Sequence, residues 1–384
     1  MARNSEFYKG RRKKRNYALV PFAIVLALVT LLVVAFYGAQ KYAVISDDGV
    51  VIKLPTGGDG EDGLLVDDAA AQTFEPVELE VVFDPPDYSR VEVSAGEHSE
   101  PIRAIYLAAE DLSEDNINAA ADRLVNGNAL LLEMKPRSGL LMWRSNSAAA
   151  QGYGLIADAD VVNAMPRLVS ELKERGIYLV AQISCCLDEA FSTRSTKVAL
   201  RHVSGWNYTD KEGSWLDPYN QDVRSYIIEI TRELYDMGFD EVVLADVMHP
   251  VFEQEEGEEN QPPELMYTRQ MSTDPTPVNA VCGFAVYVAQ ELEDRSGLLS
   301  IYCNTRTALA KPDMANGQDA ALFMKIYDRV YFPTDSYTYS FNVQDMQNSV
   351  PVGSVYDRLV PVVVNYLPSD NSSWIYIEEP EEEE

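Results

Sequence analysis

The chain has 384 residues, of which 46% are hydrophobic, and it carries a formal net charge of −30 at pH 7. That length and apolar content predict one large domain with a substantial core plus extensions, and they exclude a chain that is disordered throughout. The strong negative charge argues against nucleic acid and against an anionic membrane surface as partners, whereas neutral glycans are compatible with it.

The first predicted element is a membrane anchor at residues 17–37. Residues 18–36 contain no charged side chain, and at roughly 1.5 Å per residue they approach the ~30 Å hydrocarbon core of a bilayer. A basic cluster from Lys9 to Arg15 precedes them, and such a cluster stays on the cytoplasmic side. A cleaved signal peptide is the alternative, although its apolar region is usually only about 7–15 residues long. We therefore predict a single-pass protein of the cell membrane, with residues 1–16 in the cytoplasm and the C-terminal domain outside it.

Residues 38–73 predict a hairpin followed by an acidic linker. The chain alternates around an Asp48-Gly49 turn, which is typical of a hairpin, and the Gly-, Asp- and Ala-rich stretch that follows is typical of a flexible spacer. Residues 74–100 predict a small β appendage. At the other end of the chain, residues 378–384 predict a disordered acidic tail.

Residues 101–377 predict a barrel of parallel strands. Apolar strand patterns alternate with helical patterns, which is typical of βαβ units. The candidate strands are Ile102–Ala108, Ala129–Lys135, Ile177–Ser184, Glu241–Val247, Leu298–Asn304, Arg329–Phe332, Leu359–Tyr366 and Trp374–Ile377. The predicted fold class is α/β, a (β/α)8 TIM-type barrel. Too few residues separate the last two strands for a crossover helix, so the sequence leaves the closure of the barrel at its C-terminus open.

The stretch from Trp215 to Pro250 predicts a helix followed at once by a buried strand. Asp217 is placed to cap the helix, Pro218 suits its first position, and Gly238 suits its end. The strand that follows is apolar on both faces. That pattern is typical of a parallel strand covered by helices.

The same stretch resembles a known family. WLDPY at residues 215–219 and GFDE at residues 238–241 resemble the W-[VL]-[DN]-P-Y…G-F-D-E motif of a glycoside hydrolase family with a (β/α)8 barrel, related in fold to the alpha-amylase superfamily. ALLLEMKPRSGLL and LKERGIYLVAQI are similar to two other blocks of that family, so the resemblance covers about residues 102–367. It implies hydrolysis of a polysaccharide at the carboxyl ends of the strands.

Three positions depart from the family pattern. Gln182 stands where Arg is usual, Ala245 replaces the Asp of the fourth strand, and Met248 replaces an Arg. These replacements remove charged groups from the predicted lumen. They favour a barrel that has lost catalysis over an active enzyme.

Two acids at strand ends are the catalytic candidates, because glycoside hydrolysis needs two carboxyl groups that flank the bond. They are Glu133 on the second strand and Asp246 on the fourth. Alternation turns Asp246 away from Ala245 and toward the helices unless a bulge rotates it, and a structural hydrogen bond or ion pair is its alternative role. Glu133 shares a face with Lys135, and these two alternatively form a structural ion pair.

Candidates for substrate binding lie near the same strand ends. They are Lys135, Gln182, Asp188, Trp215, Tyr219 and His249. Each has an ordinary structural alternative, such as a turn for Asp188 and rim packing for His249. Other aromatic side chains near strand-end loops suit stacking on sugar rings and are equally ordinary core material, namely Trp143, Trp206, Tyr331 and Tyr337.

Neither a metal nor an organic cofactor is predicted. Three histidines and four cysteines are available, and the adjacent Cys185 and Cys186 lack the spacing of zinc ligands. The sequence contains no P-loop and no dinucleotide fingerprint. Buried thiols are predicted for the cysteines, with a bridge between Cys282 and Cys303 as the alternative in an oxidising compartment.

Three functional hypotheses follow. In the first, a membrane-anchored extracytoplasmic domain hydrolyses or binds a cell-surface polysaccharide such as a cell-wall glycan. In the second, a catalytically inactive barrel keeps the glycan-binding groove. In the third, the chain is an envelope scaffold whose acidic surface binds a protein partner. Two carboxyl groups in an open cavity at the strand ends favour the first hypothesis, whereas a filled mouth favours the third.

Overall fold

The computed structural model describes residues 43–46, 49–52, 100–124, 127–252, 264–267, 276–303, 312–333, 358–365 and 373–378. The chain divides into two compact units, Met1–Val81 and Val82–Glu384. In the first unit the strands Ala43–Ser46 and Gly49–Ile52 pair antiparallel, within the stretch where the hairpin is predicted.

The remaining predicted extensions lie outside the described residues. These are the anchor at residues 17–37, the strands of the β appendage, and the acidic tail beyond residue 378. Among the helices of the described ranges, none combines the length and the apolar character needed to cross a bilayer.

Eight parallel strands in the second unit close into a barrel, which confirms the predicted TIM-type fold. The strands are β1 (Arg103–Leu107), β2 (Ala129–Lys135), β3 (Tyr178–Ser184), β4 (Glu241–Ala245), β5 (Leu298–Tyr302), β6 (Arg329–Pro333), β7 (Leu359–Val364) and β8 (Trp374–Ile377). Their order around the barrel follows the order in the chain. All carboxyl ends therefore meet at one mouth, where enzymes of this fold keep their active sites.

Closure at the C-terminus, which the sequence left open, is complete. Strand β8 pairs in parallel with β7 on one side and with β1 on the other. Trp374 and Ile375 of β8 are buried, and the backbone N–H of Trp374 donates to the carbonyl of Ile102 (2.7 Å). The last strand is thus a full member of the ring.

Helices pack around the barrel. The described α-helices are α1 (Glu114–Asp122), α2 (Ala148–Gly152), α3 (Asp160–Glu174), α4 (Glu189–Arg194), α5 (Gln221–Met237), α6 (Pro277–Glu291) and α7 (Ala320–Ile326). Two short antiparallel strand pairs lie in the connections after β3 and β4: Arg201–His202 with Leu265–Met266, and Thr209–Asp210 with Gly213–Ser214.

Helix α5 begins three residues later than predicted, and its cap is Asn220, so the prediction of Asp217 as the cap was wrong. The Asn220 side chain accepts from the backbone N–H groups of Asp222 and Val223. Asp217 instead accepts the backbone N–H of Tyr219 (2.9 Å), because residues 217–220 form a tight turn before the helix. The end of the helix is as predicted, since Gly238 adopts a left-handed φ of 116°.

Alternate residues of the strands fill the lumen with an apolar layer, which includes Ala104, Leu131, Val180, Val243 and Val360. Below this layer, at the amino end of the strands, lies a polar cluster around Glu241. Ser300 and Tyr331 donate to its Oε1 (2.6 Å each), Tyr178 donates to its Oε2 (3.0 Å), and Arg329 forms an ion pair with it. The mouth above the apolar layer stays open.

Candidate active site

A cavity of about 310 Å³ occupies the mouth of the barrel. Its polar lining comes mainly from β1 to β5 and includes Tyr106, Glu133, Arg137, Gln182, Asp246 and Tyr302, with Tyr331 added from β6. Its opposite wall, from β7 and β8, is apolar and consists of Val362, Ile375 and Ile377. A concave pocket in which polar groups converge beside an apolar wall is the usual form of a small-molecule site, and this volume lies at the lower end of the ~300–1,000 Å³ range.

Glu133 faces the cavity from β2. Its Oε2 accepts the backbone N–H of Ala109 (2.9 Å), and the Tyr106 hydroxyl hydrogen-bonds to its carboxyl group. Burial raises the pKa of Glu133, and these hydrogen bonds oppose the rise only in part. The side chain is therefore biased toward the protonated form that a general acid requires.

Asp246 also faces the cavity, so the prediction from strand alternation was wrong. Strand β4 ends at Ala245, and Asp246 takes a left-handed φ of 51° instead of continuing the strand. This backbone rotation brings the carboxyl group into the mouth. Asp and Asn tolerate the left-handed region better than most residues do. The left-handed conformation of Asp246 thus rotates its side chain toward the lumen, an effect that we expected only from a bulge.

Arg137 holds the Asp246 carboxylate and was not identified from the sequence. Its Nη2 donates to Oδ1 (2.7 Å), its Nε lies 3.2 Å from both carboxyl oxygens, and Ser184 donates to Oδ2 (2.8 Å). The Arg137 Nη1 also pairs with Glu212 (2.8 Å). The one available signal is that Arg137 lies two residues after the end of β2, in the P-R-S-G turn that ends at Gly139.

Two further tyrosines belong to the polar lining, and neither was identified from the sequence. Tyr106 lies on β1 and Tyr302 on β5, and burial raises the pKa of both phenols. Both hydroxyls therefore stay protonated at neutral pH. Each can donate one hydrogen bond and accept others, as sugar hydroxyls require.

Lys135 and Asp188 form a buried ion pair away from the cavity, and the predicted Glu133–Lys135 pair does not form. The register of β2 shifts between Glu133 and Lys135, which separates the two side chains. Lys135 Nζ lies 2.8 Å from Asp188 Oδ2 and donates to the Ser184 carbonyl (2.5 Å), and both charged side chains are fully buried. A ligand in the cavity does not reach them.

Asp188 also joins the loops after β2 and β3. Its Oδ1 accepts the backbone N–H of Phe191 (2.7 Å) and so caps α4. Gly139 has a φ of +80°, and a Cβ there would lie only 1.8 Å from Asp188 Oδ1. The loop that carries Arg137 therefore rests directly on the Lys135–Asp188 pair.

The other predicted binding residues are distributed differently. Gln182 lines the cavity, whereas Trp215 is buried in the core. Tyr219 and His249 form a separate aromatic group at the rim, where Tyr267 lies 5.4 Å from the Tyr219 ring and its hydroxyl is 2.6 Å from His249 Nε2.

Of the further aromatic candidates, Trp143 is buried and donates to Glu233 (2.9 Å), and the Tyr331 hydroxyl binds Glu241. Trp206 is 79% exposed. Tyr337 lies outside the described residues.

All four cysteines are buried, and no disulfide joins Cys282 to Cys303. Burial raises the pKa of both Cys185 and Cys186. The thiols are therefore poor nucleophiles. Within the described ranges, the acidic, histidine and cysteine side chains form no group of three or more that would hold a metal ion.

The closed parallel barrel and its acid-bearing mouth define a TIM-type, glycoside-hydrolase-like domain. Residues 104–358 match the model of the DUF4015 family, described as "putative glycosyl hydrolase domain". The match spans about two thirds of the chain, and the chain belongs to this family. The narrower link to the alpha-amylase superfamily stays a prediction.

Comparison with solved structures gives low similarity. A hypothetical protein from Ruminiclostridium thermocellum is 22% identical over 51% of this chain and 96% of its own, with a TM-score of 0.43. The GH36 alpha-galactosidase AgaA from Geobacillus stearothermophilus, in complex with raffinose, is 14% identical over 77% and 41%, with a TM-score of 0.47. A chitinase from Chromobacterium violaceum is 11% identical over 69% of each chain, with a TM-score of 0.39. At these values the similarities carry no argument about function. No curated protein matches the chain.

Proposed function

We propose that this barrel hydrolyses glycosidic bonds in a cell-surface polysaccharide, with Glu133 as the general acid and Asp246 as the second carboxyl group. One observation carries the proposal: two carboxyl groups line one cavity at the carboxyl ends of the strands, in opposite environments. Burial favours the protonated form of Glu133, whereas the Arg137 guanidinium balances the negative charge of Asp246. Acid and base roles are assigned by such differences in environment.

The reaction uses the two groups in turn. Glu133 donates its proton to the glycosidic oxygen, the bond from that oxygen to the anomeric carbon breaks, and the electron pair leaves with the oxygen. The negative charge of Asp246 stabilises the positive charge that develops on the sugar ring. Water then adds to the anomeric carbon, and its proton passes to a carboxylate of the pair.

Neighbouring groups keep the acid in place. The Ala109 N–H and the Tyr106 hydroxyl fix the Glu133 carboxyl group on one side of the cavity. Gln182 and Tyr302 lie on the same wall and supply amide and phenol groups for sugar hydroxyls. The apolar wall from β7 and β8 gives the carbon-rich face of a sugar ring a dry contact.

Glycan binding without hydrolysis is the second candidate, and the contacts of Asp246 favour it. Both carboxyl oxygens already accept hydrogen bonds from Arg137 or Ser184, and the side chain is only 7% exposed. A carboxylate held in this way is a weak nucleophile. Ala245 supplies no acid at the preceding position.

An Asp246→Asn variant separates the two candidates. The full chain in detergent is applied to a glycan array, and the release of reducing ends is then measured on the glycans it retains. Under the hydrolysis proposal, the wild type releases reducing ends and the variant is slower by at least about 100-fold, which corresponds to roughly 2.7 kcal/mol of transition-state stabilisation. If the wild type retains a glycan but releases no reducing ends, only the glycan-binding candidate stands. If it retains no glycan, both candidates are wrong.

The location belongs to the same proposal. We infer from the sequence that residues 17–37 anchor the chain and that the barrel works outside the cytoplasm on cell-wall glycan. Protease digestion of intact spheroplasts tests this, because an extracytoplasmic barrel is cleaved without lysis whereas a cytoplasmic barrel is protected.

The pKa of Glu133 leads to a prediction about stability. A folded-state pKa above the unfolded value means that folding favours the protonated form, so stability is highest below the unfolded pKa and falls as the pH rises through the folded one. Glu133→Gln has no charge to bury. We therefore expect the thermal stability of the variant, relative to the wild type, to rise as the pH increases from about 4, near the ordinary pKa of a glutamic acid, to about 8. Calorimetry at both ends of this range checks the prediction, and a difference that does not change with pH would contradict it.

A further inference from the structure

Trp206 differs from the other tryptophans of the chain. Its side chain is 79% exposed, whereas Trp143, Trp215 and Trp374 are at most 2% exposed. Val203, three positions earlier in the same turn, is also 48% exposed. An exposed indole offers a broad apolar face with one polar N–H, which suits it to contact with a partner molecule.

The turn that carries Trp206 is held in place by several backbone contacts. The Trp206 carbonyl accepts the N–H of His202 (2.9 Å), and the Val203 N–H donates to the carbonyl of Glu264 (2.9 Å). The Asn207 side chain donates to the carbonyl of Ser192 (2.9 Å). The indole ring is thus presented on a fixed support, so a ligand that stacks on it loses little free energy in ordering the protein.

The connection that carries Trp206, called here the β3–α5 excursion, also reaches the cavity. It connects β3 to α5 on the mouth side of the barrel and also carries Glu212, which pairs with the cavity residue Arg137. Glu212 lies six positions after Trp206, so their Cα atoms are at most about 22 Å apart. A glycan of several units that leaves the cavity over this excursion can therefore reach the indole.

We propose that Trp206 is a distal sugar-binding subsite, on which a pyranose ring of the same glycan stacks several units from the bond that is cleaved. This inference rests on the proposed glycan substrate. The ring supplies a flat apolar face for the C–H groups of a sugar, and the strongly negative chain favours an uncharged glycan over an anionic one. The subsite adds affinity for long chains and none for short ones.

Fluorescence quenching tests the subsite, because Trp206 is the exposed tryptophan. The probe is the mixture of oligosaccharides released from purified cell walls of the source cells by partial acid hydrolysis, separated into long and short fractions. The long fraction is expected to shield the full chain from acrylamide quenching, and the short fraction is not. Trp206→Ala should weaken binding of the long fraction on the order of ten-fold. Trp206→Phe, which keeps an aromatic face, should restore part of that affinity.

The outcomes separate this subsite from the catalytic proposal. Unchanged affinity of Trp206→Ala for the long fraction, with hydrolysis still dependent on Glu133, would overturn the subsite and leave the catalytic proposal standing. An Ala variant that changes the sedimentation of the chain and not its glycan affinity would instead make Trp206 a protein contact. If neither fraction binds or is cleaved, both proposals fail. The side chain is mostly in solvent, so the variants are expected to keep the wild-type Tm.

Discussion

Glu133→Gln is expected to slow glycan hydrolysis by about 10²–10⁴-fold, the usual contribution of a positioned general acid. Glutamine has nearly the same shape and still accepts the Ala109 N–H, but it has no proton of suitable acidity to give to the leaving oxygen. Affinity for the glycan should change little, because the variant removes a transition-state interaction. Initial rates of reducing-end release, with binding measured separately by calorimetry, check both parts.

The matched control for this variant is Glu171→Gln. Glu171 lies on α3, is 48% exposed, and pairs with Arg167 on the outside of the barrel. The same chemical change there should leave kcat and KM at their wild-type values. A Glu133→Gln enzyme with full activity would remove Glu133 from the mechanism, and a loss of activity in both variants would point to general destabilisation.

The second large effect is expected for Arg329→Met, at the opposite end of the barrel. Arg329 is 2% exposed and forms an ion pair with the fully buried Glu241, which also accepts from Ser300, Tyr178 and Tyr331. Removing one partner of a buried pair leaves the other charge uncompensated, at a cost of roughly 3–5 kcal/mol. The free energy of unfolding, measured in urea, should fall by about that amount.

Two further variants show whether the loss comes from the orphaned charge. Arg329→Met combined with Glu241→Gln removes both charges and should recover part of the lost stability. Arg167→Met breaks two surface ion pairs, with Glu114 and Glu171, in which Arg167 is 50% exposed, and it should leave the free energy of unfolding nearly unchanged. If Arg329→Met is no more harmful than Arg167→Met, the cluster at the amino end of the barrel is not a major source of stability.

The barrel itself could be predicted because its strands are short apolar runs that alternate with helical patterns. Each of the eight observed strands overlaps a predicted one. The observed and predicted strand ends differ where the backbone leaves the extended conformation. Strand β4 shows this, since its apolar pattern continues to Val247 whereas the strand stops at Ala245. Sequence periodicity records burial, and residues 246 and 247 stay buried after the strand has ended.

The site could be predicted only in part, because its geometry depends on departures from regular strands. The left-handed backbone of Asp246 and the register shift before Lys135 each reverse the side to which alternation assigns a side chain. Neither leaves a signal in a single sequence. Arg137 could not be predicted for another reason. Its role depends on a contact with Asp246, which lies 109 positions further along the chain.

The helix cap shows how two plausible signals compete. Asp217 and Asn220 are both good capping residues, and Pro218 favoured a helix start directly after Asp217 because proline suits the first helical position. In the structure Asp217 forms a turn with Tyr219, and the helix begins after Asn220. The choice between the two is made by tertiary packing, because Trp215 and Leu216 are buried on the connection before the turn.

Hydrolysis in oxygen-18 water tests the central claim most directly. A glycan retained by the wild-type chain is incubated in labelled water with either wild-type or Glu133→Gln protein, and the products are analysed by mass spectrometry. We predict one labelled oxygen at the new reducing end of each product made by the wild type, and almost none with the variant over the same time. Retention of the glycan with no labelled product from the wild type, or equal labelling by both proteins, would contradict hydrolysis at the mouth of this barrel.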